Sequence, residues 1–462
     1  MQANNRASCP IPGRPTGTAP RIGSDLSRRQ MLGGCINTLG LPVLQVGPQS
    51  SPKGLEAARR YLRGEQAKAA ASGGGGPYAR RQNTTEEALY FLHKQRQFIS
   101  TDDPNILRRG VFRFDRKAEG ERMRRAEELI RRVQPGPFED PNYFAFIAYE
   151  AASIEMALPR HNGEFSRLLL GTVHNPFVDA SSNRTEVRGY TIVQLHSGLI
   201  DFMYQSAKAV VEAMHPVLNP DKTSFVIAPA DMDEVRARLK VNDAPVNRVY
   251  RTVESYFFNG YPRAFENETL VEEQLPVLEV LVWMAERWAV AHEYGHGTAL
   301  GRDFGIAPNP SWAEEFYADL IATILTVLSA WSLDHLPPEQ SLSGANFTLA
   351  CLDVLRRGYS VVTTGREVRD EGSATHPPHQ FRAQRTIDVF RQFFDVHYTD
   401  RGKVSSLDLV VRKQPPAEHA FGKEQGEGVY FFSNVLFEIW SAVKERLTLQ
   451  YRDKRPLHSM WR

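Results

Sequence analysis

The chain has 462 residues, 42% of them apolar and 24% charged, which is enough to bury a core without disulfide or metal staples and too apolar for a polar coil. Its net charge of +2 is unevenly spread: residues 1–82 hold twelve Lys or Arg against three Asp or Glu, a balance of +9, so residues 83–462 carry −7. That excludes a basic body that grips nucleic acid, and with Cys9 and Cys35 in the first 82 residues and Cys351 alone beyond them, a disulfide within the body and a CxxC zinc pattern are excluded too.

Residues 1–82 are rich in Gly, Pro, Ser, Ala and Arg and end near SGGGGP at 72–77, the composition of a disordered basic tail with a flexible linker. Within them SRRQML at 27–32, followed by GGCINTLGLPVLQV at 33–46, resembles a twin-arginine export signal, with Ser27, Arg28, Arg29 and Leu32 at motif positions. An exported location and a cytoplasmic one, with a plain basic tail, both stay open. Residues 83–164 are predicted to be a helical accessory region, from stretches such as TTEEALYFLHKQRQFI and EGERMRRAEELIRRVQ.

From Phe165 the pattern changes. SRLLLGTVHNPF and VRGYTIVQLHSG alternate like strands, and GLIDFMYQSAKAVVEAMH at 198–215 returns to helical spacing. Residues 216–275 read as an insertion with Pro-containing breaks and no assignable role. A strongly apolar helix is then predicted from near Pro276, a residue suited to a first helical turn, through LPVLEVLVWMAERWAVAHEYGHGTAL. The longest apolar run, Ala318 to Trp331, contains Asp319 and falls short of the ~20 residues that cross a bilayer, so no membrane-spanning segment is expected in the folded part.

HEYGH places His292 and His296 four residues apart, on one helix face, where both imidazoles can converge on one ion. Glu293 projects about 100 degrees further round, in reach of a water whose pKa a cation lowers toward ~7. This is the pattern of a zinc hydrolase with a glutamate base. After the Gly and Pro breaks of GRDFGIAPNP, SWAE at 311–314 fits a capping box, with Ser311 as N-cap and Glu314 at N3. That gives Glu314 a structural task and leaves Glu315 as third ligand, with Asp319 one turn later to accept the second N–H of a ligand histidine. The alternative for Glu315 and Asp319 is an acidic helix start favoured by the macrodipole.

With HEYGH and EFYAD at 315–319, eighteen residues separating His296 from Glu315, the sequence resembles the gluzincin metallopeptidases, and within them the CAAX prenyl protease and HtpX-like family with its ExxAD motif. GYTIVQLHSGLI at 189–200 is similar to that family's strand before the zinc helix, and HPPHQFR at 376–382 to its HPxxxxR motif. The resemblance covers under a third of the chain and departs from it in the long interval at 216–275 and in the helices before 165. It implies one Zn2+ per chain on His292, His296 and Glu315, Glu293 as general base, and Asp319 supporting the ligands. It further implies that His376 or Arg382 donates to the oxyanion or fixes the site carboxylates, and that the edge of the strand carrying Tyr190, Ile192 and Gln194 binds substrate backbone.

Other residues are assigned away from the chemistry. A second metal pair at His376 and His379 is disfavoured by Pro-Pro, His196 reads as a groove or surface residue, and Trp283, Trp288 and Trp312 as packing. The expectation is an α+β, mostly helical, zincin-like domain over 165–462 with a small sheet beside two packed ligand helices. It is expected to act as a zinc-dependent endopeptidase on polypeptides; the alternatives are a catalytically silent zinc-fold binding protein and a zinc aminopeptidase or small-amide hydrolase.

Overall fold

The computed structural model describes residues 51–71, 85–98, 116–158, 165–173, 178, 180–187, 189–214, 217–218, 225–226, 232–259, 270, 274–297, 310–334, 336, 338–368, 371–373, 376–399 and 431–451. The segments expected to resemble an export signal, 27–46, and to form a linker, 72–77, lie outside these residues. In chain order, α1 (Pro52–Ala69), α2 (Thr85–Phe98), α3 (Arg116–Val133) and α4 (Pro141–Ala157) precede the strands β1 (Leu168–Val173), β2 (Ala180–Val187) and β3 (Tyr190–His196). Then come α5 (Ser197–Ala213), the short pair β4 (Val217–Leu218) and β5 (Phe225–Val226), α6 (Met232–Val241) and α7 (Ala244–Asn259). The last part holds α8 (Leu275–Gly297), α9 (Pro310–Asp334), α10 (Pro338–Thr364), α11 (His379–Thr399) and α12 (Phe431–Tyr451). The fold is thus α+β and mostly helical with a small three-stranded sheet, as expected.

The centre is built on α8 and α9, which lie side by side because small residues let their backbones approach. A Cβ on Gly295 would sit 2.8 Å from the Ala318 Cα, so glycine in HEYGH and alanine in EFYAD are matched halves of one helix crossing. At the other end, α10 crosses α8 through Gly344, whose added Cβ would lie 2.4 Å from the Met284 carbonyl carbon. Around this crossing Trp288, Val290, Phe347, Val354 and Trp440 are buried in one continuous core.

Three sequence expectations need correction. Residues 52–69 are not a disordered tail. Ser51 caps α1 by accepting from the Gly54 amide, Pro52 occupies the first turn, and Ala58, Leu62 and Gln66, four residues apart, form a buried stripe. The Gly and Pro on either side of this helix dilute its pattern in a composition average. Residues 83–164 are not an accessory layer either. α4 is buried on most of its circumference because Ala, Phe and Ile surround it, and it packs against α8 and α9. The 216–275 interval contains α7, whose Val246, Val249, Val253, Tyr256 and Phe257 belong to the main core.

In the sheet the order is β1-β3-β2, with β1 parallel to β3 from Leu168↔Thr191 to Val173↔His196 and β2 antiparallel to it. β3 is therefore central, which corrects the expectation that a substrate strand adds beside Tyr190, Ile192 and Gln194. Side-chain direction points the same way. Leu168 and Thr191 lie against Gly297 at the end of α8, whereas Gly171, the register partner of Gln194, lies against Leu62 of α1. Alternation then puts Tyr190, Ile192 and Gln194 on the α1 face, opposite the end of α8.

By length and composition alone, Trp312–Asp334 of α9 could cross a membrane, because the helix extends the apolar run at both ends; 72% of its apolar window is buried inside the molecule.

Candidate metal centre

The i, i+4 spacing on α8 brings the two histidines together as expected, with His292 Nε2 and His296 Nε2 3.1 Å apart and the rings nearly perpendicular, at 88°. Glu315, on the first turns of α9, turns one carboxylate oxygen to each ring: Oε2 lies 3.5 Å from His292 Nε2 and Oε1 lies 3.3 Å from His296 Nε2. Donor atoms of all three residues fall within 4.8 Å of one another, and this group can hold a metal ion.

Asp319, one turn beyond Glu315, places Oδ1 3.0 Å from His292 Nδ1 in a bent contact, on the far side of the ring from the cluster. Arg382, at the start of α11, is buried and forks onto that same carboxylate, with Nε 2.9 Å from Oδ2 and Nη2 2.8 Å from Oδ1. Its Nη1 lies 3.5 Å from Glu315 Oε2. One guanidinium thus holds the carboxylate that orients a ligand ring. Trp288 stacks on His292, ring centroids 5.4 Å apart, and its indole N–H reaches Thr323 on α9. Trp283 and Trp288 are buried in the core as expected, whereas Trp312 is half-buried and its indole is used in the contact described below.

Burial and charge act against each other here. Burial favours the neutral form of His292, yet its contacts with Asp319 and Glu315 outweigh that and raise it to about 9. Burial also pushes Glu315 and Asp319 upward, but the neighbouring histidines and Arg382 win and hold both carboxyls below their ordinary values, Glu315 well below. Glu293 is held above its ordinary value by burial, against the pull of both histidines, and its Oε2 has no hydrogen-bond partner; nor has Glu315 Oε2. Among the buried groups, three carboxylates (Glu293, Glu315 and Asp319) face the single guanidinium of Arg382. With these carboxylates ionised and both histidines neutral, as metal ligation requires, an excess of two negative charges is left, which a divalent cation offsets.

His376 and Arg382, left as alternatives by the sequence, take different places. Arg382 is inside, on Asp319. His376 is outside, its side chain 55% exposed, with Nε2 3.5 Å from Glu315 Oε1. The turn carrying it is pinned: Ser373 N donates to His376 O, His376 N to Ser373 Oγ, Arg356 to Gly372 O, and the Trp312 indole to Ser373 O. Gly372, at φ +80, cannot accept a Cβ there without meeting His376 O at 2.7 Å. His379 is buried at the start of α11, and His196 is held down to about 4 by burial; neither belongs to the three-residue donor group among the described residues.

Two features escaped sequence reading. α9 begins at Pro310, so Ser311 lies inside the first turn rather than at its cap, and Glu314 instead brings Oε1 3.8 Å from His296 Nδ1. The Trp312 and Arg356 contacts to the His376 turn link elements far apart in the chain; the only local sign was glycine shortly before Pro-Pro.

No family model matches the chain, and neither a curated protein nor a solved structure matches it.

Proposed function

We propose that the protein is a zinc-dependent peptidase that hydrolyses polypeptides with Glu293 as general base. The observation that carries this is the buried His292–His296–Glu315 donor set with the unpartnered Glu293 carboxylate oxygen next to it in sequence. Two imidazoles and one carboxylate suit zinc. Their separations of 3.1, 3.3 and 3.5 Å resemble the edges, about 3.3 Å, of a tetrahedron with the bond lengths of zinc to nitrogen and oxygen.

When bound, zinc supplies a Lewis acid that polarises the scissile carbonyl and makes water acidic enough to lose a proton near neutral pH. The rest belongs to the chain. Glu293, with its affinity for a proton raised by burial, takes that proton and returns it to the departing amine. His376 faces the site from the solvent side, where it can donate to the developing oxyanion. Asp319 and Arg382 act through His292 and are positioning residues. Since β3 is central, an extended substrate has β2 as its strand of attachment, the edge strand that packs against α8.

The test is a peptide-library digest of the zinc-loaded wild type and Glu293→Gln. Retained zinc with a 10²- to 10⁴-fold loss of hydrolysis, on the scale of general-base catalysis, is expected. Stoichiometric zinc with no cleavage of any peptide, by the full chain or by protein trimmed only of residues 1–50, overturns the reading.

A further inference from the structure

A three-stranded sheet has two open edges, and an open edge invites another chain. β1 is one of them, yet all six of its residues are buried. The pairing with β3 sets which of its backbone groups face outward. Thr191 N donates to Arg167 O, so residue 167 turns its carbonyl toward β3 and, by alternation, Leu168, Leu170 and Thr172 turn theirs away.

Side chains from three separate places meet the outward groups of Leu168 and Thr172, at the two ends of β1. Arg132, near the end of α3, donates to Leu168 O at 3.2 Å. Glu139, before α4, accepts from Thr172 N at 2.6 Å and also from the Thr172 hydroxyl. Gln66 of α1 donates to Thr172 O at 2.7 Å and to Glu139 Oε2, and it is itself buried. α1 is held in place for this task. Arg59 donates to Arg132 O and Arg63 to Gln134 O. Leu62 fills the space left by Gly171 of β1, where a Cβ would come within 2.6 Å of its methyl.

We infer that α1, with Arg132 and Glu139, is a side-chain seal on the β1 edge, which makes residues 52–69 a working part of the body and directs an extended polypeptide to β2. The arrangement satisfies three of the backbone groups that a fourth strand would have used, Leu168 O at one end of β1 and Thr172 N and O at the other, and Gln66 and Glu139 occupy its place. The seal stands on hydrogen bonds alone; its consequence for substrate rests on the peptidase reading.

The Gly-rich stretch 72–77 follows α1 in sequence, so a protease site inserted there in the full chain lets the folded protein be cut without touching the sealing residues. After cutting, the fragment ending before the site should stay with the body on size exclusion, and the Thr172 amide should exchange with solvent at least tenfold more slowly than an exposed amide. In the cut Gln66→Leu variant, the fragment should be lost on dilution, Thr172 exchange should quicken at least tenfold, and the body should self-associate. Two outcomes overturn the seal: fast Thr172 exchange in the uncut wild type, or loss of the fragment with β1 amides still protected and the body still monomeric. Neither the fragment retention nor the amide exchange depends on hydrolysis, so a protein that cleaves nothing but shows the protected edge refutes the peptidase and leaves the seal standing. A protein that cleaves peptides with an unprotected edge does the reverse.

Discussion

Two buried ionic clusters share α8 and α9, and they differ in where their positive charge comes from. Midway along α8, Arg287 lies 2.5 Å from Glu150 on α4 and 2.7 Å from Asp334 on α9. Arg122 on α3 lies 2.6 Å from the other oxygen of Asp334, with Tyr149 bridging Arg122 to Glu119. The cations there are side chains of the protein, and Asp334, despite its burial, is held below its ordinary value by both guanidiniums. One turn or so further along α8, the histidine cluster has three buried carboxylates and, among the described residues, Arg382 as its one guanidinium, with Glu293 Oε2 and Glu315 Oε2 lacking any hydrogen bond. Two guanidiniums against Glu119, Glu150 and Asp334 bring the first cluster to within one charge of balance and tie helices together; the second, short of two positive charges when its histidines are neutral, is prepared for an ion from solution.

The comparison is broken most sharply by exchanging losses between the clusters. Glu315→Ala should abolish stoichiometric zinc binding, read by metal analysis, and reduce any peptidase activity to background. Asp334→Ala removes the shared partner of two buried guanidiniums and should destabilise by about 3–5 kcal/mol in urea unfolding, while protein that remains folded still binds zinc. If Asp334→Ala loses zinc at unchanged stability, the division into structural and metal-holding clusters is wrong. Asp319→Asn keeps the shape but weakens the hold on His292 and should lower zinc affinity about 10- to 100-fold, measured by competition with a chelator.

Smaller effects sharpen the boundary. Gly295→Ala forces a methyl against Ala318 and should cost about 1–3 kcal/mol by overpacking, with a matching loss of zinc affinity because the ligands sit on both sides of that crossing. A further buried acid is Glu139 in the β1 seal: burial pushes it up to about 8 from an ordinary 4.5, against its bonds from Thr172 and Gln66. The folded state therefore holds a proton that the unfolded chain releases, and stability should fall as pH rises from about 4.5 to about 8. Glu139→Gln should flatten that slope in denaturant titrations at a series of pH values.

Much of the site was readable because it is local. HEYGH needs only the helical period to align its rings, and EFYAD only one further turn to set Asp319 behind Glu315. What misled was also local: a cap assigned from SWAE failed because the helix starts at Pro310, two residues before the Trp312 that a Ser311 cap requires, and Glu314 faces His296 instead. Alternation marked 190–196 as a strand but carries no information on its neighbours, so its central position, with β1 on one side and β2 on the other, came only from pairing. α1 was lost for a different reason, its four-residue stripe being averaged into a tail of Gly, Pro and Arg.

By itself, then, the sequence determined the mostly helical class and the residues able to hold a metal, since both follow from periodicity within single elements. Only the tertiary structure decided that Arg382 grips Asp319 while His376 stays outside, that the early helices belong to the core, and that β1 is closed by Gln66, Glu139 and Arg132. Those are contacts between segments separated by tens to hundreds of residues, and no local preference specifies which distant partner will satisfy a buried charge or an open strand edge.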